Sequence, residues 1–309
     1  VIYLNFVLNN LSEDNILRIC TFYKDFQSDN TNDYVRFFAK ADYVTVTVYT
    51  SNKAMFQGED AKAEYDMWVT MLSYHETKPT KESLKASQHP SFKDYFYPAI
   101  GSDEVGTGDF FGPMVVCAFY LKNSDVLTFK ALDIKDSKNI SDEKIRVLGK
   151  QIKDIGTYSV LTLHNEKYNR LIKSGFNMNK IKAYLHNKAI LNVLFKTDGA
   201  PEVIVDQFTP ERNYFRYLNQ ENKVYRNITF LTKAESRYAC VALASIMARY
   251  AFLQHMDKLS KDLGVTLRKG ASHLVDEQAA SLIETHGEAF MERIAKCNFK
   301  TFDKAKKLR

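Results

Sequence analysis

Between residues 43 and 49 the chain alternates strictly. Val44, Val46 and Val48 fall on one side, and Tyr43, Thr45, Thr47 and Tyr49 on the other, which predicts a half-buried strand. Its neighbours near 34–40 and 53–57 follow the same rule. Tyr34, Arg36, Phe38 and Lys40 alternate with Val35, Phe37 and Ala39, and Lys53 and Gln57 join the polar side. Val1 to Leu8 reads as a fourth strand. Ser12 is placed to cap a helix reaching about Phe26, with Asn15, Ile16, Ile19 and Tyr23 at helical spacing. A second helix is expected from about Asp60 to Tyr74. Residues 1–75 therefore read as a small α+β unit. Its aliphatic sheet face suits packing on helices. Its Tyr/Thr/Arg/Lys face admits two readings, a platform for a phosphate backbone and sugar edges or an ordinary solvated face.

Residues 76–95 change character, with Lys, Thr, Ser and Pro replacing the apolar pattern, and read as a linker. From 96 to 309 the pattern is mixed. Strands are expected near 97–104, 112–121, 157–163, 202–206 and 227–231. Helices are expected near 142–154, 166–174, 178–197, 210–220, 235–257, 276–286 and 287–296. Such alternation predicts a layered α/β core.

Composition narrows the classes. The 309 residues are 45% hydrophobic, enough for a substantial core in one or two domains. No run of about 18 apolar residues exists to span a membrane. No charged-then-apolar leader opens the sequence. Cys20, Cys117, Cys240 and Cys297 are far apart in apolar contexts, so buried free thiols in a reducing, cytoplasmic setting are expected. The net charge of +6 permits a nucleic-acid partner without establishing one. No apolar surface stripe is left over for a protein partner, so a monomer is expected.

The chemistry concentrates in Gly101-Ser102-Asp103-Glu104-Val105-Gly106-Thr107-Gly108-Asp109, which sets three carboxylates among glycines. Clustered acids repel unless a cation neutralises them, so a divalent-metal site is one reading and a solvated acidic turn the other. Adjacent strand residues face opposite ways, so Asp103 and Glu104 share a site only if the strand ends or bends between them. Gly106 and Gly108 permit such a bend and a close backbone approach.

Asp206 closes the apolar strand Val203-Ile204-Val205, where α/β folds gather ligands. A helix-capping role for it is equally open, because Thr209-Pro210-Glu211 follows. Glu235 would sit in the first turn of a long, slim helix rich in alanine. There it is either a further ligand or an acid favoured by the helix dipole. Ser245 and Arg249 follow it down one stripe, with Arg249 about 20 Å along. Arg249 would meet a nucleic-acid backbone or pair with an acid. The glycine pattern is neither a dinucleotide fingerprint nor a phosphate loop, and no zinc spacing or nucleophile elbow is present.

With those residues in hand, the chain resembles the type 2 ribonuclease H family along essentially its whole length, and within it the HIII branch. The stretch from Gly101 to Asp109 carries the resemblance with Val205-Asp206-Gln207-Phe208, Leu231-Thr232-Lys233-Ala234-Glu235-Ser236 and Ala244-Ser245-Ile246-Met247-Ala248-Arg249. Asp136-Ser137-Lys138 and Asn298-Phe299-Lys300 also look like family landmarks. Thr107 stands where the HII branch has an arginine, and Glu235 where it usually has Asp.

The resemblance implies an α/β fold: a ribonuclease H-like catalytic domain preceded by a small TATA-binding-protein-like domain that grips the substrate. It implies a metal-dependent endonuclease cutting the RNA strand of RNA–DNA hybrids and leaving 5′-phosphate and 3′-hydroxyl ends. Asp103, Glu104, Asp206 and Glu235 would be the catalytic and metal-binding acids, serving two Mg2+ or Mn2+ ions about 3.5–4 Å apart. Oxygen-only ligands favour those ions over zinc. Gly106, Thr107 and Gly108 would read 2′-hydroxyls in the minor groove. Ser137, Lys138, Ser245, Arg249, Tyr49 and Lys53 complete the expected substrate contacts. Without the HII-type arginine, poor cutting at a lone ribonucleotide is expected. Two rivals stand beside this reading: a nuclease of the same fold acting on DNA, and a binding module without catalysis.

Overall fold

The structure, a computed structural model, describes residues 5–76 and 95–308 apart from positions 31, 42, 133, 135–139, 198 and 200. The expected linker, Ser137 and Lys138 therefore lie outside the described residues, apart from the linker's two end positions, 76 and 95. The chain divides into two compact units, residues 1–90 and 91–309.

The first unit runs β1 (Phe6–Leu8), α1 (Glu13–Phe22), β2 (Val35–Ala41), β3 (Val44–Tyr49), β4 (Lys53–Gln57) and α2 (Ala61–Glu76). Its strands form an antiparallel sheet in the order β1-β4-β3-β2. The Ser12 hydroxyl caps α1 by accepting from the Asn15 amide at 3.2 Å. The helix stops short of Phe26. Tyr23 leaves helical geometry at φ −96° and ψ 12°, its ring buried against Phe56 and Trp68. Val44, Val46 and Val48 are buried with Ile16 and Ile19 of α1 and Met67, Trp68 and Leu72 of α2.

Two features of the polar face differ from expectation. Thr47 is buried between its cross-strand neighbours Phe38 and Met55. A register shift between Val35 and Phe37 takes Arg36 out of the alternation, and Glu13 engages its guanidinium through two 2.8 Å hydrogen bonds. Inside this unit lies a buried polar trio. The Tyr23 hydroxyl donates to Glu64 and accepts from the Trp68 indole N–H at 3.0 Å.

The second unit comprises β5 (Ala99–Val105), β6 (Met114–Leu121), α3 (Val126–Lys130), α4 (Asp142–Ile155), β7 (Thr157–Leu163), α5 (Asn165–Lys173), α6 (Met178–Leu194), β8 (Val203–Asp206), α7 (Glu211–Tyr217), β9 (Ile228–Leu231), α8 (Ala239–Leu263), α9 (His273–His286), α10 (Glu288–Ile294) and α11 (Lys300–Lys307). The sheet order is β7-β6-β5-β8-β9. The first three strands pair antiparallel, and β8 and β9 run parallel to β5.

Side chains alternate across this sheet. Val115, Cys117, Phe119 and Ile204 join α8 in one core, whereas Ile100, Val116, Ala118, Val203 and Val205 join α6 and α7 in another. Gly101 explains how closely α8 lies. A Cβ there would come within 2.3 Å of the Cys240 and Val241 backbone. The alanines of α8 are the other half of that fit. The helix expected from 235 begins at Ala239, because Ala234–Ser236 forms a separate 3-10 turn and Tyr238 is extended. Neither α3 nor α11 was expected. In lysine-rich α11 only Thr301 and Ala305 are buried, too few to set an apolar period.

Candidate active site

The ends of β5 and β8 bring the acids together. The parallel register pairs Ser102 with Val205, and one step further sets Asp103 beside Asp206. Both point to the α8 side, sharing the faces of Gly101 and Ile204. Asp103 is 8% exposed, and its carboxylate accepts from the Glu104 amide at 2.8 Å and from the Ser245 hydroxyl of α8. Burial, and then the charges of Glu104 and Asp206, push its carboxyl well above the usual range. Asp206 accepts the Ala234 amide at 2.8 Å, and the next residue is Glu235, 4% exposed.

Glu104 sits differently. The strand neither ends nor bends between Asp103 and Glu104, whose cross-strand partners are Cys117 and Val116. Without such a break, alternation sends Glu104 to the α6 side, and the two acids do not share one sheet face. There Lys182 Nζ meets Oε1 and His186 Nε2 meets Oε2, each at 2.9 Å. Burial opposes ionisation of Glu104, but the Lys182 ammonium and His186 outweigh it and hold its carboxyl at about 2. Sequence reading missed both partners. Their signal was a Lys-x-x-x-His pair on a helix otherwise lined with Ile181, Ala183, Ala189 and Ile190.

Among the described residues no three carboxylate, imidazole or thiol groups converge on one metal position. The donor chemistry fits a hard divalent cation nonetheless. Oxygen acids meet at the carboxyl ends of parallel strands, where burial and then the neighbouring negative charge suppress ionisation of Asp103.

The glycine turn joins β5 to β6. Gly106 has φ +94°, and a Cβ there would lie 2.3 Å from the Pro113 carbonyl oxygen. Gly108 is exposed, with no positive φ and nothing within 4 Å of a Cβ, so the fold itself does not require a glycine there. Asp109, the third acid of the stretch, is structural: it accepts the Gly270 amide at 2.6 Å. Beneath the turn, buried Lys296 donates to the carbonyls of Asp109 at 2.8 Å and Gly112 at 2.6 Å. Asn298 accepts from the Tyr168 hydroxyl at 3.0 Å.

Ser245 serves Asp103, as described. Arg249 donates to the Ile140 carbonyl at 2.8 Å and pairs with Asp142 at 2.6 Å, the acid-pairing alternative of the two foreseen. In the first unit, Tyr49 and Lys53 are direct cross-strand neighbours, half-buried and exposed respectively.

Known proteins share this arrangement of sequence. The family model described as Ribonuclease HII matches residues 100–302. A ribonuclease HIII of Bacillus cereus is 44% identical over 289 residues, covering 93% of each chain. The chain belongs to the ribonuclease HIII family. Another ribonuclease HIII, from Bacillus mycoides, is 44% identical over 276 residues and 88% of each chain. The family's fold is present too. The crystal structure of Bst-RNase HIII in complex with Mn2+ superposes with a TM-score of 0.69 at 36% identity, covering 99% of both chains. That of Aquifex aeolicus RNase H3 gives 0.55 at 25% identity, covering 95% of this chain and 99% of that one. Residues 5–82 match a model described only as a domain of unknown function, DUF3378. As a member of the ribonuclease HIII family, the chain is an endoribonuclease that hydrolyses the RNA of RNA–DNA hybrids in a metal-dependent reaction. Among the described residues no helix is long and apolar enough to cross a membrane. Cys117 and Cys240 are buried free thiols, and Cys20 and Cys297 are half-buried ones.

Proposed function

We propose that Asp103, Glu104, Asp206 and Glu235 hold the metal and carry the hydrolysis. The observation that carries this reading is the lateral placement of Asp103 beside Asp206 on one sheet face, at the carboxyl ends of paired parallel strands. A pair of Mg2+ or Mn2+ ions, when bound, supplies Lewis acidity at the scissile phosphate and lowers the pKa of the attacking water. Mn2+ in the Bst-RNase HIII crystal structure supports the choice of ion. Asp103 and Asp206 share the α8 side. Ser245 orients Asp103, and the Ala234 amide orients Asp206. The products are a 3′-hydroxyl end and a 5′-phosphate end.

Gly106, Thr107 and Gly108 lie against the minor groove and meet the 2′-hydroxyls. The open space around Gly108 supports this, since an approaching backbone would occupy it. Ser137 and Lys138 contact the substrate backbone, and Tyr49 and Lys53, paired beside the β3–β4 turn, grip it from the N-terminal sheet. Arg249 acts on substrate only by way of the Asp142 pair it already makes. With Thr107 rather than arginine in the turn, the chain prefers runs of ribonucleotides. Residues 1–75 act as the substrate-binding domain, 76–95 as the linker and 96–309 as the catalytic domain. We read the chain as a monomer in the cytoplasm. The four free thiols support a reducing compartment, and sedimentation tests the monomer.

The test is cleavage of labelled substrates at roughly 50 mM salt, where phosphate contacts are strong. Wild type and Asp103→Asn are compared on an RNA–DNA hybrid, a DNA duplex and a DNA duplex with one ribonucleotide, with Mg2+ or EDTA. Hybrid-only cutting that needs metal and vanishes in Asp103→Asn is expected. Cutting of the DNA duplex, or a fully active Asp103→Asn, overturns the assignment.

A further inference from the structure

Glu104 is held more firmly than a simple metal ligand needs to be. Both of its oxygens are engaged at 2.9 Å, by Lys182 and His186 one turn apart on α6. These partners are 8% and 0% exposed. Behind His186, Nδ1 lies 2.7 Å from the Ser102 hydroxyl, which in turn lies 2.9 Å from the Cys117 carbonyl. The imidazole is thus tied to the backbone of β6 through one serine. Its proton assignment follows from its partner: Nε2 faces a carboxylate, which only accepts, so Nε2 carries hydrogen.

Phe208 closes the other side. Its ring lies 5.1 Å from the His186 ring, nearly parallel to it, and 4.4 Å from Lys182 Nζ. This residue follows Asp206 by two, so β8 and the loop leaving it supply both an acid and the wall of the neighbouring pocket. A lysine head group this deep is tolerated where a carboxylate and an aromatic face meet it. The two partners of Glu104 are not equivalent. His186 is anchored from behind at Nδ1. Lys182 has a long, flexible stem and no such tether, and the acid it meets is one of the four proposed to hold the ion.

We propose that Lys182 is the internal counter-charge of the acid cluster and competes with a divalent ion for Glu104 Oε1. His186, anchored through Ser102, is the positioning residue that keeps the carboxylate in place when Lys182 lets go. The inference rests on the metal-site reading above. It separates the two residues by sign. Removing the ammonium removes both a competitor and a repelling charge, so ion binding tightens. Removing the imidazole leaves Glu104 to Lys182 alone, so ion binding weakens. Loss of structure would weaken binding in both variants.

The experiment is calorimetric titration of Mn2+ into the intact protein at pH 8 and low salt. Lys182→Met should tighten Mn2+ binding about fivefold or more, on the Coulomb energy of a like charge at contact distance. Lys182→Gln, which keeps a polar head, should do the same, and Lys182→Arg should return the affinity to that of wild type. His186→Asn should weaken binding. Unchanged or weaker binding in both charge-free Lys182 variants, with melting temperatures retained, overturns the proposal. Asp103→Asn is the control for the underlying site. If it leaves Mn2+ binding intact, the metal-site reading fails. If it abolishes binding while the Lys182 variants are silent, only the counter-charge role fails.

Discussion

The amide of Ala234 donates to Asp206 Oδ1 at 2.8 Å, tying the acid at the end of β8 to the turn that presents Glu235 beyond β9. That turn is strained at Lys233, which sits in the left-handed region at φ 55° and ψ 40°. Asp206 thus has two jobs that substitution can separate. Asn keeps the acceptor and loses the charge, so Asp206→Asn should reduce hybrid cleavage by about 100-fold or more with little change in stability. Ala loses both, leaving a part-buried amide without its acceptor, and should cost about 1–3 kcal/mol in addition. Cleavage rates and denaturant melts of the two variants decide. An active Asp206→Asn would remove this residue from the chemistry.

The two glycines of the turn should fail in different ways. Gly106→Ala forces a side chain into a positive φ and onto the Pro113 carbonyl, so a stability loss of about 1–3 kcal/mol is expected. Gly108→Ala meets nothing in the protein and should melt like wild type. If the hybrid lies against this turn, Gly108→Ala raises KM for the hybrid several-fold. An unchanged KM would place the substrate elsewhere.

Much of this was legible before any coordinates. The Val44-Val46-Val48 face, the Ser12 cap and the strands ending near Glu104 and Asp206 follow from short-range patterns, which a single segment declares on its own. What stayed hidden depends on distant partners. Whether the strand breaks between Asp103 and Glu104 was left open by the sequence, and the unbroken alternation sends each to its own helix. No local rule names Ser245 or Lys182 as those partners, because the pairs are separated by 142 and 78 positions in the chain. The helix expected to begin at Glu235 begins at Ala239, since the anchoring of Ala234 by Asp206 favours a tight turn there. Arg36 left its expected face because of a bulge, which alternation alone does not reveal.

Glu64 makes the first unit sensitive to pH. Burial raises its carboxyl from 4.5 to about 7, against the partial relief of the Tyr23 hydrogen bond. Between those values the folded unit keeps the proton that the unfolded chain releases, so stability falls as pH rises through the window and is flat above it. The full effect is roughly 3 kcal/mol, at about 1.4 kcal/mol per unit of pKa. Urea midpoints at pH 5 and pH 8 should differ in wild type and converge in Glu64→Gln. Equal pH slopes in the two proteins would show that Glu64 is not the group responsible.

Lys296 should prove a stability residue rather than a chemical one. Its ammonium holds the Asp109 and Gly112 carbonyls, and its own backbone amide bonds the Phe110 carbonyl at 2.9 Å. Burial draws its side chain down to about 7. Lys296→Met removes the ammonium from the Asp109 carbonyl and leaves the Gly112 carbonyl to Asn165 alone, at a cost of about 1–3 kcal/mol. The melting temperature should drop, while kcat measured well below it stays within a few-fold of wild type. A large kcat loss at full stability would give Lys296 a direct role instead.

Trp68 is the only tryptophan in the chain, and it lies buried in the first unit with its indole bonded to Tyr23. Its ultraviolet emission therefore reports on that unit. The 18 tyrosines are spread over both units. Excitation at a wavelength selective for indole, set against far-ultraviolet dichroism of the whole, thus separates the melting of the two units in the intact protein with no added label.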